Sequence, residues 1–452
     1  MPHTIRIRKG VDIRLAGAPS GAVRDAAPAD VYAVQPPDFH GLVPRVAVKP
    51  GDRVAAGTTL FTDKTFERIA VTSPVSGTVR DVVRGEKRRV LAVEITPDGA
   101  GSSHDFGALD PATADRGALL DRLLDSGCFA FIRTRPFDVV PDPTVVPRDI
   151  FVSGYFSAPL APSVAEVMAG RMDDFAAGAA ALGRLSSSGR VHVGVRTGDS
   201  TFDAVPGIER TSFDGPHPAG NVGVQLHHVA PLAPGETVWT LHPEDVANYG
   251  RVLRTGHYVP TRVVGAGGSE HPAPGHLRTL VGARITTLTG GAAPSPDVRI
   301  ISGDVLTGTR VGADGFLGAF AHAVTLLPEG KAPKFLLTSG WLGAGFDKFS
   351  VSRAFPTWLM PRTKTWKLDT NTNGEERALV VTGQYEQVFP FDLFPQQLVK
   401  SIIAHDLDGM ERLGILEVAP EDFALCEYVC TSKLAVQSIV RKGLDTVKQE
   451  IG

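Results

Sequence analysis

Short runs in which apolar and polar residues alternate fill the first hundred residues of the chain. Residues 79–83 and 89–95 follow this pattern, and turn signals such as residues 50–52 and Gly85 separate the runs. Because successive side chains of a strand point to opposite faces of a sheet, the alternation predicts strands with one buried face. The sequence therefore predicts a β domain over residues 1–100, and its basic, alternating start predicts an edge strand.

Two segments of this domain resemble the halves of a biotinyl/lipoyl-like barrel-sandwich hybrid. They are Val48–Phe61, V-K-P-G-D-R-V-A-A-G-T-T-L-F, and Thr72–Val79, T-S-P-V-S-G-T-V. Carrier domains of this type present a lysine on the hairpin between the halves, and here Phe66 occupies that place. Lys64 is an alternative acceptor, but a slip of two residues would move its amine off the apex of the turn. We therefore predict a carrier fold that lacks the carrier lysine.

Helical spacing of apolar residues alternates with strand-like runs in the next part of the chain, residues 101–257. A strand, a helix and a second strand in close succession predict a βαβ unit with parallel strands. A Rossmann-like α/β domain is therefore expected. Its predicted elements are a helix over residues 115–127, a strand over 150–153, a helix over 163–185, a strand over 190–195 and a helix over 243–253.

The rest of the sequence divides into short β runs and a helical end. Residues 258–335 contain short alternating runs framed by glycines, which predict a β-grasp module of the SLBB-like type. Residues 336–452 are predicted to form an irregular segment and a C-terminal helical domain. The fold class is thus multidomain α/β and β. In the last part, an irregular stretch over residues 341–366 precedes predicted helices over 395–413, 420–430 and 433–451.

The composition limits the classes of function. A length of 452 residues predicts about three domains. A net charge of −3 without a long basic run excludes a typical nucleic-acid-binding surface, and three cysteines fit a reducing compartment. The N-terminus lacks the apolar core of a signal peptide. Glycine and prolines interrupt the uncharged stretch 150–165, so we predict no membrane-spanning helix.

No motif for redox or hydrolytic chemistry is complete. A Rossmann-like unit that binds NADH or flavin needs a glycine-rich turn after its strand, whereas residues 153–162 contain one glycine and two prolines. The nucleophile motif G-x-S-x-G is absent. We therefore predict no catalytic residue and no redox cofactor held by this chain alone.

Two groups of potential metal ligands have simpler explanations. Cys426 and Cys430 share one face of a predicted helix, but a four-cysteine cluster needs more thiolates than this chain contains. His217, His227 and His228 have strand-like neighbours and no adjacent carboxylate in the sequence. We expect buried thiols and hydrogen-bonded histidines, and no metal site.

One aromatic and basic segment predicts a ligand site. It contains two phenylalanines and two arginines at every second position, in the motif R-T-R-P-F and the two residues before it. They are Phe131, Arg133, Arg135 and Phe137. Flat apolar faces beside fixed N–H donors suit a planar ligand with carbonyl oxygens, such as a quinone. The alternative is that the phenylalanines pack in the core while the arginines pair with acids or with another subunit.

Several long motifs, in this order of modules, resemble the alpha subunit of the sodium-translocating NADH:quinone reductases over essentially the whole chain. The motifs are K-G-V-D-I (Lys9–Ile13), V-K-P-G-D (Val48–Asp52), S-P-V-S-G-T-V (Ser73–Val79), R-G-E-K-R (Arg84–Arg88), R-T-R-P-F (Arg133–Phe137), G-P-H-P-A-G-N-V-G (Gly215–Gly223), I-S-G-D-V-L-T-G (Ile301–Gly308) and E-D-F-A-L-C-E-Y-V-C (Glu421–Cys430).

This resemblance implies a six-subunit complex of the bacterial inner membrane that oxidises NADH, reduces ubiquinone and exports sodium. The chain would be a peripheral subunit on the cytoplasmic side, bound to five other subunits, especially membrane-embedded ones. NADH, flavins and the iron–sulfur centre are expected on those partners, and none of them on this chain. The association of the family with quinone makes Phe131, Arg133, Arg135 and Phe137 the expected quinone-binding residues. A purely structural assembly subunit without quinone contact is the alternative.

Overall fold

The computed structural model describes residues 4–290, 295–331 and 345–451. Its strands are short and fall into four sheets. The strands are β1 (Thr4–Arg6), β2 (Arg24–Asp25), β3 (Tyr32–Val34), β4 (Pro44–Val46), β5 (Arg53–Val54), β6 (Thr59–Asp63), β7 (Ala70–Thr72), β8 (Gly77–Arg84), β9 (Val90–Pro97), β10 (Arg133–Arg135), β11 (Ile150–Gly154), β12 (Val191–Arg196), β13 (Glu209–Asp214), β14 (Val238–Leu241), β15 (Thr261–Gly267), β16 (Gly275–Leu280), β17 (Val298–Ser302), β18 (Thr309–Val311) and β19 (Ala323–Pro328).

The helices concentrate in the α/β domain and at the C-terminal end. They are α1 (Arg116–Asp125), α2 (Val164–Met168), α3 (Met172–Leu185), α4 (Val222–Val229), α5 (Pro243–Thr255), α6 (Ile285–Leu288), α7 (Tyr385–Val388), α8 (Pro395–Ile403), α9 (Leu407–Arg412), α10 (Ala424–Val429) and α11 (Val436–Ile451). Among the described residues, no helix has both the length and the apolar composition that a bilayer crossing requires.

The α/β domain contains a six-stranded sheet in the order β1-β13-β12-β11-β14-β10. Neighbouring strands are parallel except for β10, which runs antiparallel to β14. The predicted βαβ unit is confirmed. From β11 the chain continues outwards through β12 and β13, and it then returns to the other side of β11 with β14. The sheet therefore has a topological switch point between β11 and β14.

Local signals fix several helix ends of this domain. The side chain of Asp115 caps α1 by accepting a hydrogen bond from the Ala118 N–H. Helix α5 begins at Pro243 and ends at Thr255, and Gly256, with a φ of +76°, caps its end. The single helix predicted over residues 163–185 is wrong in one respect, because it is divided into α2 and α3. Gly170 adopts a φ of +72° at the break, which an α-helix does not accommodate.

The sandwich consists of the sheets β3-β9-β8-β5 and β4-β6-β7 around a shared apolar core. The turn between β6 and β7 carries Phe66, which is half-buried against this core, and its N–H donates to the Asp63 carboxylate at 3.0 Å. Lys64 is exposed directly after β6. The predicted carrier fold is thus present, and a packed phenylalanine lies in the turn where carrier domains present their lysine.

The β-grasp module forms the sheet β18-β17-β19-β15-β16-β2. Its edge strand β2 comes from the N-terminal segment, and β1, from the same segment, is the edge strand of the α/β sheet. The first residues therefore tie two later domains together. The predicted domain limits stay predictions, and the limit between residues 335 and 336 lies outside the described residues, as does the start of the stretch 341–366.

The C-terminal helices pack on a second apolar core that also includes residues of the α/β domain. The single helix predicted over residues 395–413 is wrong, because α8 and α9 are separate. His405 has a φ of +55° between them, and Asp406 starts α9 by accepting a hydrogen bond from the Gly409 N–H at 2.9 Å. The predicted helix over residues 420–430 is a 3₁₀ turn, Pro420–Phe423, continued by α10.

Candidate functional site

A cleft of about 590 Å³ lies at the carboxyl ends of β11 and β14, at the switch point of the α/β sheet. Open α/β sheets bind ligands at this position, because the loops on either side of the switch point diverge and leave a crevice. The β-grasp module closes the cleft from another side. Residues that line it include Asp38, Phe131, Arg133, Arg135, Asp138, Ser153, Tyr155, Phe156, Ser157, His217, His242, Asp304, Phe316, Phe320, His322 and Glu421.

The α/β wall depends on a close approach of two loops. A Cβ atom on Gly220 would lie 2.2 Å from the carbonyl oxygen of Tyr155, so only glycine fits there. The Gly220 N–H donates to the Ser157 hydroxyl at 2.9 Å, and the same hydroxyl lies 3.0 Å from Nδ1 of His217. His217 is thereby held at the edge of the cleft. Burial lowers its pKa to about 4, against the opposing charges of Asp304 and Asp12.

The β-grasp wall is held by the loop between β17 and β18. The carboxylate of Asp304 accepts hydrogen bonds from the backbone N–H groups of Leu306 and Thr307 at 2.6 and 3.1 Å. The Ser302 hydroxyl accepts another from the Gly318 N–H at 2.9 Å. These bonds fix the I-S-G-D motif beside the cleft.

Three of the four predicted ligand residues, Phe131, Arg133 and Arg135, line the cleft. The ring of Phe131 is buried, with its centroid 5.6 Å from that of Phe39 and 5.7 Å from that of Phe320. The Arg133 guanidinium lies 4.0 Å from the centroid of the Phe320 ring, and its Nη2 donates to the backbone oxygen of Asp38. Aromatic rings and a cation therefore share one wall of the cleft.

Arg135 is on the inner side of the wall, with a side chain that is only 1% exposed. Its Nη2 donates to Glu421 at 2.9 Å and its Nη1 donates to Asp422 at 3.4 Å, and Asp138 lies 3.8 Å away. Burial lowers the pKa of Arg135, but these three carboxylates raise it by more. This arrangement agrees with the alternative that the arginines pair with acids, and it joins β10 to the C-terminal helical part.

Phe137 does not line the cleft. It is half-buried against the second apolar core, its φ is +80°, and its carbonyl oxygen accepts a hydrogen bond from Arg441 at 2.7 Å. The structure therefore brings Phe131, Arg133 and Arg135 together at the cleft, where Arg135 is already paired with acids of the chain, and it places Phe137 in the contact behind the cleft.

Glu421, the ion-pair partner of Arg135, lines the cleft. Burial raises the pKa of Glu421 to about 7, and Asp422 adds to the rise while Arg135 opposes it. Because 39% of the Glu421 side chain is exposed, solvent in the cleft moderates this shift. Burial also raises the pKa of Asp422, whose Oδ2 accepts a hydrogen bond from the Ala419 N–H at 2.8 Å.

A histidine pair that sequence reasoning missed lies on the cleft wall. The rings of His242 and His322 stack with centroids 3.4 Å apart, and Nδ1 of His322 lies 3.2 Å from the fully buried carboxylate of Glu244. Burial lowers the pKa of both imidazoles, and the charge of Arg262 adds to this effect. No local signal joins Glu244 to His322, since 78 positions separate them.

His242, Glu244 and His322 each offer one ligand atom within 4.8 Å of the others, which is the spacing of a metal site. Their orientation does not suit one. An imidazole binds a metal ion in the plane of its ring, whereas these rings are stacked with an interplanar angle of 18°. Arg171 and Arg262 also neutralise Glu244 from 3.1 and 3.9 Å. The cluster is therefore built as a buried ion-pair network.

The other histidine candidates lie elsewhere. His227 and His228 are on α4, so the expectation of strand-like surroundings is wrong, and a carboxylate is near: Nδ1 of His227 lies 3.4 Å from Glu417. Nδ1 of His228 lies 2.8 Å from the Val224 carbonyl oxygen. Nε2 of His227 accepts a hydrogen bond from the Asp392 N–H at 3.2 Å, so both histidines have hydrogen-bonding partners, as expected. His217 is separated from them in the cleft wall.

The two C-terminal cysteines are buried in the second apolar core. Cys430 accepts a hydrogen bond from the Tyr385 hydroxyl at 3.0 Å, and burial raises the pKa of Cys426. Among the described residues, these thiols have no other cysteine, histidine or carboxylate arranged with them as a metal site.

Three family profiles match consecutive parts of the chain. Residues 5–98 match the NqrA N-terminal barrel-sandwich hybrid domain, residues 114–258 match the NqrA second alpha/beta domain, and residues 263–313 match the NQRA C-terminal domain, an SLBB module. The predicted fold class is confirmed. A solved NAD⁺-reducing [NiFe]-hydrogenase is also similar, with a TM-score of 0.37, 11% identity, and coverage of 74% of this chain and 63% of that one, a likeness too low to support an inference.

Full-length relatives agree with the profiles. The NqrA protein of the Na(+)-translocating NADH-quinone reductase of Saccharophagus degradans is 37% identical over 450 residues, which cover 99% of this chain and 100% of that protein. The corresponding protein of Rhodopirellula baltica is 38% identical over 457 residues, with 98% of each chain covered. The chain therefore belongs to the NqrA family, the alpha subunits of the Na⁺-translocating NADH-quinone reductases, and it is a subunit of that enzyme.

Proposed function

We propose that this subunit is a peripheral, cofactor-free component on the cytoplasmic side of the bacterial inner membrane, and that its cleft binds the head group of ubiquinone. Five other subunits would hold the NADH, flavin and iron–sulfur chemistry and the sodium path. The observation that carries the quinone proposal is the juxtaposition of Phe131, Arg133 and Phe320 at the switch point of the α/β sheet.

The charge of the cleft favours a neutral ligand over a nucleotide. Two arginines on its wall, Arg133 and Arg135, face four carboxylates, those of Asp38, Asp138, Asp304 and Glu421. A pyrophosphate would meet a surplus of negative charge there, whereas a quinone carries none and offers only carbonyl acceptors.

The helix that follows β11 is also poorly suited to a phosphate. Ser163 and Glu166 cap the start of α2 in a capping box, with the Ser163 N–H donating to Glu166 at 3.2 Å and the Glu166 N–H donating to Ser163 at 3.3 Å. A carboxylate thus takes the place at which dinucleotide-binding folds hold a pyrophosphate. This supports the proposal that NADH and flavin bind to partner subunits.

Ubiquinone-1 binding to the purified full-length chain tests the proposal. Arg133→Met keeps the bulk of the side chain and removes its charged donors, so we expect the Kd to rise by about tenfold. Arg45→Met is the matched control, because the Arg45 side chain is 63% exposed on the sandwich. Equal affinity in both variants, or no binding by the unaltered chain, would refute quinone binding by this subunit.

The absorption spectrum of the isolated chain tests the cofactor proposal separately. We expect only the aromatic band, since the groups that hold flavin and iron–sulfur centres would be on the partners. Stoichiometric flavin or iron bands would contradict this.

One observation favours the alternative, an assembly subunit without quinone contact. Arg135 is satisfied within the chain by Glu421 and Asp422, and Phe137 lies away from the cleft, so half of the predicted ligand residues serve packing. Under this alternative, Arg133→Met leaves quinone reduction by the complex unchanged, whereas Arg135→Met lowers the amount of assembled complex.

A further inference from the structure

We propose that the segment 345–367 is a membrane-contact lobe, through which this subunit binds the interface of an anionic lipid bilayer directly. The lobe is defined by these residues and is irregular apart from the 3₁₀ turn Pro356–Leu359. The proposal goes beyond peripheral membership of the complex, because it assigns a lipid-binding surface to this chain itself.

Three large apolar side chains of the lobe point into solvent. Trp358 is 61% exposed, Leu359 is 65% exposed and Phe346 is 60% exposed. Single exposed apolar residues are common on soluble proteins, but three large ones within one small lobe are a local concentration that calls for a partner. Tryptophan beside aliphatic and phenylalanine side chains is the composition that inserts at the boundary between headgroups and acyl chains.

Internal contacts hold these side chains outwards. The Thr357 hydroxyl is buried, donates to the backbone oxygen of Lys348 at 2.8 Å and accepts from the Ser350 N–H at 2.9 Å. The residues that follow it on the 3₁₀ turn, Trp358 and Leu359, are exposed as a result. Lys364, near the end of the lobe, donates to the carbonyl oxygen of Phe346, near its start, at 2.7 Å, so the two ends of the segment are linked.

The lobe is firmly attached to the body of the protein by a second tryptophan. Trp366 is only 2% exposed, its backbone N–H donates to the Arg14 carbonyl oxygen at 2.9 Å, and the Arg14 guanidinium lies 4.7 Å from its ring centroid. The ring of Phe349 packs against it with centroids 5.4 Å apart. Trp366 therefore anchors the lobe to the protein while Trp358, in the same lobe, remains exposed to solvent.

The charge of the lobe identifies the kind of surface that it fits. It contains five basic residues and a single acid, Asp347. Lys367 is paired with Glu270 at 2.6 Å, whereas within the described residues no carboxylate forms an ion pair with the others, which are Lys348, Arg353, Arg362 and Lys364. Exposed apolar side chains in one lobe with four basic groups that lack a carboxylate partner among the described residues are complementary to anionic headgroups over an apolar layer.

Vesicle co-sedimentation of the full-length chain tests this proposal. We expect binding to phosphatidylcholine vesicles that contain phosphatidylglycerol, much weaker binding to pure phosphatidylcholine, and loss of binding at high salt. A blue shift of tryptophan emission is expected on binding, because Trp358 is exposed whereas Trp239 and Trp366 are buried. The fourth tryptophan, Trp341, lies outside the described residues, so the shift should be absent in Trp358→Phe, which keeps Trp341.

Matched variants separate the lobe from the rest of the surface. Combining Trp358→Ser with Leu359→Ser should abolish binding, while Val145→Ser with Val146→Ser, at positions that are 40% and 44% exposed in the α/β domain, should not change it. Combining Arg353→Gln with Arg362→Gln should weaken binding by about fivefold for each charge, and Arg84→Gln with Arg88→Gln on the sandwich is its control.

Every other outcome overturns the proposal. Equal binding to both kinds of vesicle would exclude recognition of anionic lipid, and retained binding in the Trp358 and Leu359 variant would place the contact elsewhere. If the chain binds no vesicles and the lobe variants impair only the assembly of the complex, the patch docks on a partner protein. Because none of these residues lines the cleft, quinone affinity should remain unchanged in all lobe variants.

Discussion

The imidazole rings of His242 and His322 stack at a centroid distance of 3.4 Å across the contact between two domains. His242 follows β14 of the α/β domain, and His322 precedes β19 of the β-grasp module. Phe156 extends the stack, with its ring centroid 4.6 Å from that of His242. The pair therefore joins the two walls of the cleft, and the geometry of the cleft depends on it.

His322→Ala should loosen this contact. The variant loses the ring stack and leaves Glu244 with fewer partners, so we expect the free energy of unfolding to fall by about 1–2 kcal/mol. His322→Phe, which keeps an aromatic ring, should recover part of the loss. Urea unfolding followed by circular dichroism measures both. Equal stability of the alanine variant and the unaltered chain would show that the stack contributes nothing.

His217 should give the stability a specific dependence on pH. Its pKa is lowered to about 4 in the folded chain, while an unfolded histidine titrates near 6.5. Below pH 6.5 the unfolded state takes up a proton that the folded state does not, so stability is lost as the pH falls from 6.5 towards 4, by at most about 3 kcal/mol.

Comparison with His217→Gln isolates this effect, since other groups titrate in the same range. The difference in unfolding free energy between the two proteins should be constant above pH 7 and should shift in favour of the variant below 6.5. A difference that does not vary with pH would mean that the histidine is not buried in its neutral form.

Arg135 should matter more for stability than any exposed arginine. Arg135→Met leaves Glu421 and Asp422 without their buried counter-charge, so we expect a loss of about 3–5 kcal/mol. Arg6→Met is the control, because the Arg6 side chain is 71% exposed and its pair with Asp214 should contribute under about 1 kcal/mol. Thermal unfolding measures both. Similar midpoints for the two variants would contradict the role of the buried pair.

The three cysteines should not react in the folded protein. Cys128 is 5% exposed, Cys430 is 1% exposed and Cys426 is fully buried, and burial raises the pKa of Cys128 to about 12. Thiolate, the reactive form, is therefore scarce at neutral pH. We expect no rapid reaction with Ellman's reagent in buffer and three equivalents in denaturant. One fast equivalent in buffer would contradict this burial.

Local signals were sufficient for much of the fold. The capped helix α1, the proline-started helix α5 and the parallel pair β11 and β12 all follow from residues that are close together in the sequence. Two helices were predicted as continuous although one backbone angle interrupts each of them, at Gly170 and at His405, because apolar spacing continues across a break that only the backbone reveals.

The candidate site was predictable only in part. The segment that contains Phe131 and Arg133 does line the cleft. The sequence could not predict that Arg133 and Arg135 have different partners, because positions i and i+2 of a strand share one face. Arg135 pairs with Glu421, which is 286 positions away, and Arg133 packs on Phe320. The His242, Glu244 and His322 cluster was missed for the same reason.

The modules, their order and the family could be read from the amino-acid sequence, because they depend on periodicity, turn residues and motifs that short stretches carry. The position of the cleft, the burial of Arg135 and the exposure of Trp358 became known only from the folded chain. Those properties arise from contacts between distant parts of the chain, whose energies depend on burial and on counter-charges that no local pattern encodes.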